Sequence, residues 1–226
     1  MFADGDRVAV AVSGGVDSLV LACLLHQWQK KAPIEFEVEA IHIDHGFWRK
    51  QGGCSPEKTI GDQLGRYKIP LLVFREKKLG EVERTCYLCS RNRRSQLFDL
   101  ARENCYTHLA FGHHRDDLIE TLFLNMFYSG NISTMVPKQD LFQSTLAIVR
   151  PMAYLEKREV YQLAQGYGLS PVKNLCPLSA NTRREKVRGL LHDFFDQEPA
   201  AKDSVFAALA NVRPEYMLRN VNDNIE

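Results

Sequence analysis

The amino-acid sequence predicts an α/β fold, in which a parallel sheet carries helices on both faces and a small helical segment follows. Two observations support this prediction. Short β-branched, apolar runs alternate with longer stretches of helical periodicity, and a glycine-rich turn joins the first run to the first helical stretch. Alternation of this kind indicates βαβ units with right-handed crossovers. At 226 residues, the chain has room for one such domain and a short extension.

The predicted elements follow in order from the N-terminus. Residues 7–12 form a β-branched apolar run, and residues 19–28 form an apolar stretch of helical character. The pattern recurs with strands predicted over 37–43, 70–74 and 107–111, and helices over 56–67, 88–103 and 116–128. After Arg150-Pro151 helical segments dominate, over 156–166, 182–195 and 201–211. The sequence therefore predicts a main domain over 1–150, a mostly helical extension of it over 151–212 and a polar tail over 213–226.

The composition indicates a soluble globular protein. Hydrophobic residues make up 45% and charged residues 25% of the chain, which disfavours disordered and fibrous classes. No apolar run reaches the roughly 18 residues that a membrane span needs, and the first six residues are too few and too polar for a signal peptide. We therefore expect a cytoplasmic protein without a membrane partner. In that compartment the six cysteines are expected to be thiols or metal ligands.

The strongest motif is Ser13-Gly14-Gly15-Val16-Asp17-Ser18, which we call the glycine loop. It lies between a predicted strand and a predicted helix, where glycine lets backbone N–H groups approach an anion and the helix N-terminus adds partial positive charge. Ser13 and Ser18 add hydroxyl donors. The loop lacks the lysine of a Walker motif. We therefore predict phosphate binding without a lysine in the loop.

Two further polar groups follow predicted strands. Ile43 ends the second predicted strand and Asp44 follows it, and ligands of open parallel sheets bind at this edge. Gly112 and His113 follow a later strand, and Asp116 and Asp117 come directly after them. Paired carboxylates near a helix start are typical of capping, but beside phosphates they also make a Mg²⁺ site. Because three strand ends converge on one edge, we favour a functional site.

Cysteines form the fourth group. Cys86 and Cys89 have helical spacing, which places both sulfurs on one face, and Cys176 is available from a later loop. A CxxC pair alone fits half of a zinc site, a redox pair or two buried apolar side chains. Three thiolates leave one metal position open, as a 4Fe-4S cluster with one unligated iron would. The residues by themselves do not separate zinc from iron.

These motifs carry a resemblance to a known family. The glycine loop resembles the SGGxDS loop of the PP-loop, or N-type, ATP pyrophosphatases, and Gly112 to Thr121 resembles the GHHxDDxxET signature of lysidine and thiocytidine synthetases. Together with the segments that contain the cysteines and Arg150-Pro151, they resemble the TtcA family of tRNA 2-thiocytidine synthetases over roughly residues 5–195. Val16 departs from that family, which commonly has lysine at this position, and Asn174 stands where a further cysteine is common.

The resemblance implies roles for the quoted residues. The glycine loop, including Gly14, Gly15 and Val16, would hold the β and γ phosphates of ATP, and Asp17 would assist Mg²⁺. The adenosine would lie against backbone near Ile43. A 4Fe-4S cluster on Cys86, Cys89 and Cys176 would hold sulfide, which would displace AMP from an adenylated tRNA cytidine. Catalytic roles would fall to Asp17, Asp116, Asp117 and the three cysteines.

The partners expected are tRNA, a sulfur-donor protein or sulfide, and a second copy in a homodimer. With a net charge of +1, any RNA contact must come from local clusters, and we expect Arg91, Arg93, Arg94, Arg183 and Arg184 to supply it. Alternatives remain open: an amine ligase on tRNA cytidine with structural zinc, a small-molecule thiolation enzyme, or a non-enzymatic nucleotide- or RNA-binding module.

The remaining cysteines are expected to be structural, apart from Cys54. Cys23 lies on the apolar side of the first helix and Cys105 precedes a strand, so both are predicted to be buried. Cys54 lies in a glycine-rich loop, where an exposed thiol is possible.

Overall fold

The computed structural model describes residues 1–50, 55–77, 85–173, 176 and 182–218. In this part of the chain one sheet has the strand order β3-β2-β1-β4-β6-β5. Its strands are β1 (Asp6–Ala11), β2 (Phe36–Asp44), β3 (Leu71–Arg75), β4 (His108–Ala110), β5 (Lys138–Leu141) and β6 (Leu146–Val149). All neighbouring strands pair in parallel except β5, which is antiparallel to β6.

Helices cover both faces of the sheet, as predicted. They are α1 (Val16–Gln29), α2 (Pro56–Gly65), α3 (Cys86–Glu103), α4 (Arg115–Ser129), α5 (Lys157–Gly166), α6 (Arg183–Gln197) and α7 (Pro199–Ala208), with short 3-10 helices at Phe47–Lys50 and Pro214–Tyr216. Residues from α1, α2 and α5 share one buried cluster with the sheet, and residues from α3 share a second. The mainly parallel α/β fold is therefore confirmed.

The alternation of side chains along β1 separates these two clusters. Val8 and Val10 are buried in the cluster of α1, whereas Ala9, between them, is buried in the cluster of α3. Successive side chains of a strand point to opposite faces, so a strand covered on both sides is apolar throughout. The continuous run that predicted β1 is thus a consequence of burial on both faces.

The hairpin of β5 and β6 was missed at the sequence level, and with it the antiparallel edge of the sheet. Lys138–Leu141 is a mostly exposed edge strand without apolar alternation. The turn that follows contains Phe142, Gln143 and Ser144, all at positive φ (50°, 55° and 66°), where glycine or asparagine is usual. Neither the strand nor the turn has the residues from which a hairpin is normally inferred.

The cysteine predictions had mixed outcomes. Cys23 is buried in the core on α1, as expected. The prediction for Cys105 was wrong, because this residue is exposed and has a φ of 55° in the turn between α3 and β4. Its neighbour Tyr106 takes the buried position instead. Cys54 lies outside the described residues.

The C-terminal helices pack against the main sheet domain. Ile119 of α4 forms a small buried cluster with Val187 and Leu191 of α6. Within the described ranges, no helix combines the length and the apolar character needed to cross a membrane. The last eight residues of the predicted tail, 219–226, lie outside the described part.

The order of the strands creates a crevice between β1 and β4. The chain proceeds from β1 to β2 on one side of β1, whereas β4 lies on its other side, so the strand order reverses between β1 and β4. At the bottom of the crevice, Gly112 packs on the backbone of α1. A Cβ atom at Gly112 would lie 2.9 Å from the carbonyl carbon and oxygen of Asp17 and 3.0 Å from the nitrogen of Ser18.

This contact predicts a large effect of Gly112→Ala. The new methyl group meets backbone atoms that cannot rotate away, so we expect a loss of about 1–3 kcal/mol in the free energy of unfolding and weaker phosphate binding. Gly189→Ala in α6 is the matched control, since its Cβ meets nothing within 4 Å, and it should raise stability by about 0.5–1 kcal/mol. Chemical denaturation measures the free energy of unfolding of both variants. Equal stability of the two would contradict the close packing of Gly112 on the backbone of α1.

Candidate functional site

The glycine loop is held in shape by its own hydrogen bonds. The Ser13 N–H donates to Ser18 Oγ (3.2 Å), Ser18 Oγ donates to the Gly15 carbonyl (2.8 Å), and the Gly15 N–H donates to Ser13 Oγ (3.3 Å). The loop leads directly into α1, with Gly15 as the N-cap residue. A helix N-terminus of this kind favours a bound anion.

Gly14 connects the loop to the segment that carries Cys176. Its φ is +89°, and a side chain at this position would bring its Cβ atom within 3.2 Å of Ile60 Cδ1 and Val172 Cβ, so only glycine fits without strain. The Val172 N–H donates to the Gly14 carbonyl at 2.9 Å. Val172, four residues before Cys176, therefore packs against the loop.

Three strand ends converge on one cavity of about 270 Å³, as the sequence predicted. We call it the phosphate cavity. The predicted residues that line it are Ser13, Gly15, Asp17, Ser18, Ile43, Gly112, His113 and Asp117. The loops after β1, β2 and β4 thus contribute to one cavity at the crevice.

Asp44 has a different environment from the one expected of a nucleotide ligand. It is buried, and its Oδ1 accepts hydrogen bonds from the Gly46 N–H (2.8 Å) and Trp48 Nε1 (3.2 Å). These contacts shape the turn after β2. A direct contact between Asp44 and a nucleotide remains a prediction.

The two adjacent aspartates of α4 face different partners. Asp116 accepts hydrogen bonds from the Lys157 N–H (2.9 Å) and Lys202 Nζ (2.6 Å). Burial disfavours its ionised form, but hydrogen bonds from His114, Lys202 and Lys157 outweigh that effect and hold its pKa well below the usual range. Asp117 accepts from the His114 N–H at 3.1 Å and lines the phosphate cavity, which Asp116 does not. Asp117 is therefore the better placed of the two to meet a phosphate-bound cation.

A second cavity, of about 520 Å³, lies on the other side of Asp17 and is lined largely by charged residues. We call it the charged cavity. Lys157 Nζ lies 2.5 Å from Asp17 Oδ1, and the His114 ring lies 3.3 Å from Asp117 and 4.0 Å from Asp17. Sequence reasoning missed Lys157 and Lys202, which lie 140 and 86 residues from their partners. His114 was within a quoted motif and could have been included.

The three predicted cysteine ligands line a cavity of about 380 Å³, which we call the cysteine cavity. Cys86 and Cys89 lie in the first turn of α3, whose N-cap residue Thr85 accepts a hydrogen bond from the Leu88 N–H (3.2 Å). The N-terminus of a helix stabilises negative charge, which suits metal-bound thiolates. Within the described ranges, no group of three or more His, Cys, Asp or Glu side chains could hold a metal ion as arranged.

The cysteine cavity adjoins the phosphate cavity. Both are lined by the same residues of the glycine loop and of the end of β2, and by Arg93. The shared residues are Ser13, Gly15, His42, Ile43, His45 and Arg93. Any group bound between the cysteines would therefore lie beside a bound nucleotide.

Arg93 belongs to this site and not to an outer surface. Burial lowers its pKa, while the nearby Glu76, Cys89 and Cys176 act in the opposite direction. Arg93 lines both cavities, whereas its neighbours Arg91 and Arg94 are exposed. A contact between Arg93 and tRNA remains a prediction. The alternation of inward and outward arginines along α3 was not visible in the charge pattern.

Arg183 and Arg184, which are also predicted to contact RNA, have different environments. Arg183 is exposed, with its guanidinium 4.7 Å from the centre of the Tyr128 ring. Arg184 instead donates to Glu120 Oε2 (3.2 Å) and Thr121 Oγ1 (3.1 Å). Arg184 therefore connects α6 to α4, and Arg183 is the more accessible of the pair.

His113 is a neutral side chain in a cationic environment. Burial lowers its pKa to about 3, and Arg150, Arg184 and Arg94 act in the same direction. Its ring stacks on Phe111, with centroids 5.7 Å apart, and its buried Nδ1 has no hydrogen-bond partner among the described residues. A neutral ring here offers hydrogen bonds without adding charge.

This environment predicts a pH dependence of stability. In the unfolded chain His113 takes up a proton near pH 6.5, whereas in the folded chain its pKa is about 3. Between these values the unfolded state binds more protons, so the free energy of unfolding falls as the pH falls. We expect His113→Gln to lose less stability than wild type between pH 8 and pH 5 in urea titrations. Comparing the stability of each protein with its own value at pH 8 removes the effect of the substitution on packing. Equal losses of stability in wild type and His113→Gln would contradict the assigned pKa.

Comparisons with known proteins agree with this geometry. Residues 3–193 match the family model described as a PP-loop domain. The tRNA-cytidine(32) 2-sulfurtransferase of Vibrio cholerae is 37% identical over 96% of this chain and 71% of its own length. The tRNA-cytidine(32) 2-sulfurtransferase 1 of Francisella tularensis subsp. novicida is 37% identical over 96% of this chain and 83% of its own length.

Solved structures show the same fold. The U34-tRNA thiolase NcsA from Methanococcus maripaludis, with its [4Fe-4S] cluster, superposes with a TM-score of 0.75 at 23% identity, covering 99% of this chain and 79% of that one. The NAD+ synthetase from Burkholderia pseudomallei gives 0.53 at 16% identity, covering 94% and 83%. The chain belongs to the PP-loop domain family and, within it, to the family of the tRNA-cytidine(32) 2-sulfurtransferases.

Proposed function

We propose that the protein is an ATP-dependent tRNA sulfurtransferase that replaces the C2 oxygen of a cytidine, at position 32 as in its relatives, by sulfur. The observation that carries this proposal is the shared wall of the phosphate cavity and the cysteine cavity, formed in part by Ser13, Gly15 and Ile43. One cavity suits activation by a nucleotide and the other suits delivery of sulfur. The names of the two curated relatives support the same acceptor.

Activation is needed because a ring carbonyl oxygen is a poor leaving group. In the proposed first step, the cytidine O2 attacks the α-phosphorus of ATP, the bond from that phosphorus to the bridging oxygen breaks, and pyrophosphate leaves. In the second step sulfide forms a bond to C2 and the C2–O bond breaks. The oxygen leaves with AMP, so one ATP is consumed for each sulfur introduced.

The residues around the phosphate cavity supply binding and charge. The glycine loop and the N-terminus of α1 would hold the β and γ phosphates through backbone N–H groups and the Ser13 hydroxyl. Asp17 and Asp117, which both line this cavity, would hold Mg²⁺. Backbone near Ile43 would hold the adenosine, and neutral His113 would contact the reacting groups.

Cys86, Cys89 and Cys176 would hold a 4Fe-4S cluster. Their common cavity brings the three thiols to one site, where each could bind a different iron of such a cluster. When bound, it would supply an open iron for sulfide. Arg93 would offset part of the negative charge of the thiolates.

The acceptor and the sulfur source would approach from the surface. Arg91, Arg94 and Arg183 are exposed and would contact the tRNA backbone. The sulfur would come from a donor protein or from free sulfide. A homodimer and a cytoplasmic location remain predictions.

An amine ligase with structural zinc is the principal alternative. It would use the same activation step but would not need the cysteine cavity to adjoin the phosphate cavity. Small-molecule thiolation and non-enzymatic binding differ from the proposal in acceptor and in turnover. Mass spectrometry of tRNA nucleosides after incubation with ATP, Mg²⁺ and sulfide separates the proposal from all three, because only the proposed reaction yields 2-thiocytidine.

Metal analysis after anaerobic purification tests the cysteine assignment. We expect about four irons and four sulfides per chain in wild type, and loss of both in Cys176→Ala. Cys105→Ala is the matched control, since this exposed cysteine lies outside the cysteine cavity, and it should retain the wild-type content. Stoichiometric zinc without sulfide would reject the cluster and favour the amine ligase.

Salt dependence of tRNA binding tests the arginine assignment. Each phosphate contact adds about one unit to the slope of log K against log salt, so Arg91→Ala with Arg94→Ala should lower the slope by about two. Arg102→Ala is the control, because Arg102 is exposed at the far end of the same helix. An unchanged slope in the double variant would place the tRNA elsewhere.

A further inference from the structure

The glycine loop has no basic side chain of its own. Ser13 to Ser18 contains no lysine, arginine or histidine, although the triphosphate of ATP carries several negative charges. Backbone N–H groups and a helix N-terminus supply only partial charges. Walker-type loops place a lysine at the β and γ phosphates for this reason. Positive charge at the phosphates would here come from a bound metal ion or from a side chain outside the loop.

Lys157 is held where such a charge is needed. It is the first residue of α5, and its N–H donates to Asp116 Oδ2 at 2.9 Å, which fixes the start of the helix. Its Nζ lies 2.5 Å from Asp17 Oδ1 and 4.9 Å from the centre of the Tyr161 ring. Backbone and side chain are thus positioned by separate contacts.

The position of Asp17 gives Lys157 access to the phosphates. Asp17 is the second residue of α1 and lines both the phosphate cavity and the charged cavity. Lys157 lines the charged cavity, so its ammonium meets Asp17 at the boundary between the two. The lysine side chain is flexible and 31% exposed, which allows its ammonium to move by a few ångströms.

We propose that Lys157 is the phosphate-binding cation of this site, supplied by α5 in place of a lysine in the loop. Without nucleotide it neutralises Asp17. With nucleotide bound, its ammonium contacts the β and γ phosphates and releases Asp17 to bind a metal ion. This inference rests on the proposed use of ATP.

Nucleotide binding without divalent cations tests the proposal directly. Calorimetric titrations in EDTA would compare ATP with AMP, which lacks the β and γ phosphates, for wild type and Lys157→Met. We expect Lys157→Met to bind ATP roughly tenfold or more weakly and AMP as wild type does, because a charge-assisted contact is lost only with ATP. Lys157→Arg should recover part of the affinity. Lys186→Met, on the exposed face of α6, should bind both nucleotides as wild type does.

Other outcomes would reject the proposal in distinguishable ways. Equal ATP affinity in wild type and Lys157→Met would show that the lysine only neutralises Asp17. Equal weakening for ATP and AMP would indicate a structural role of the lysine in holding α5. Failure of wild type to bind ATP at all would instead reject the nucleotide assignment on which the inference rests.

Discussion

The parallel pairing of β1 with β4 positions most of the site. Val8 to Val10 of β1 lie beside His108 to Ala110 of β4, although almost one hundred residues separate them in the chain. Because the strands run in the same direction, the loops that leave them meet at one edge, and Gly112 reaches the backbone of Asp17. The phosphate cavity exists only where these two loops adjoin. A shift of this pairing by one residue would reverse the direction of every side chain at the edge.

Charges around the crevice are already paired before any ligand binds. Glu120 of α4 is buried and accepts hydrogen bonds from Arg184 and from Arg188, the latter at 2.6 Å, which fastens α6 to the main domain. Asp116 likewise accepts a hydrogen bond from Lys202 of α7. Carboxylates paired in this manner lose little flexibility when a ligand arrives, so the site is largely preorganised. Asp117 differs from both because it also faces the phosphate cavity.

Local motifs predicted residues that the structure brings together at the cavities, and contacts between distant segments explain what the sequence missed. The glycine loop, the residues after β4 and the CxxC pair were recognised because their chemistry lies within a few consecutive positions. The ion pair of Lys157 with Asp17 joins residues that are 140 positions apart in the sequence, and no local sequence pattern predicts it. The inward position of Arg93 was not predicted, because charge alone does not tell which side of a helix is buried. Cys105 was misassigned because an unexpected positive φ turns it outward.

The hydrogen bond from the Val172 N–H to the Gly14 carbonyl has a thermodynamic consequence. It joins Val172, four residues before Cys176, to the loop that would hold the triphosphate, so a shift of either one acts on the other. Coupling between two binding events is reciprocal. If a bound nucleotide tightens the hold of the cysteines on their metal, the loaded metal must tighten the hold on the nucleotide by the same factor. Oxidative loss of the metal would then appear as a lower affinity for ATP.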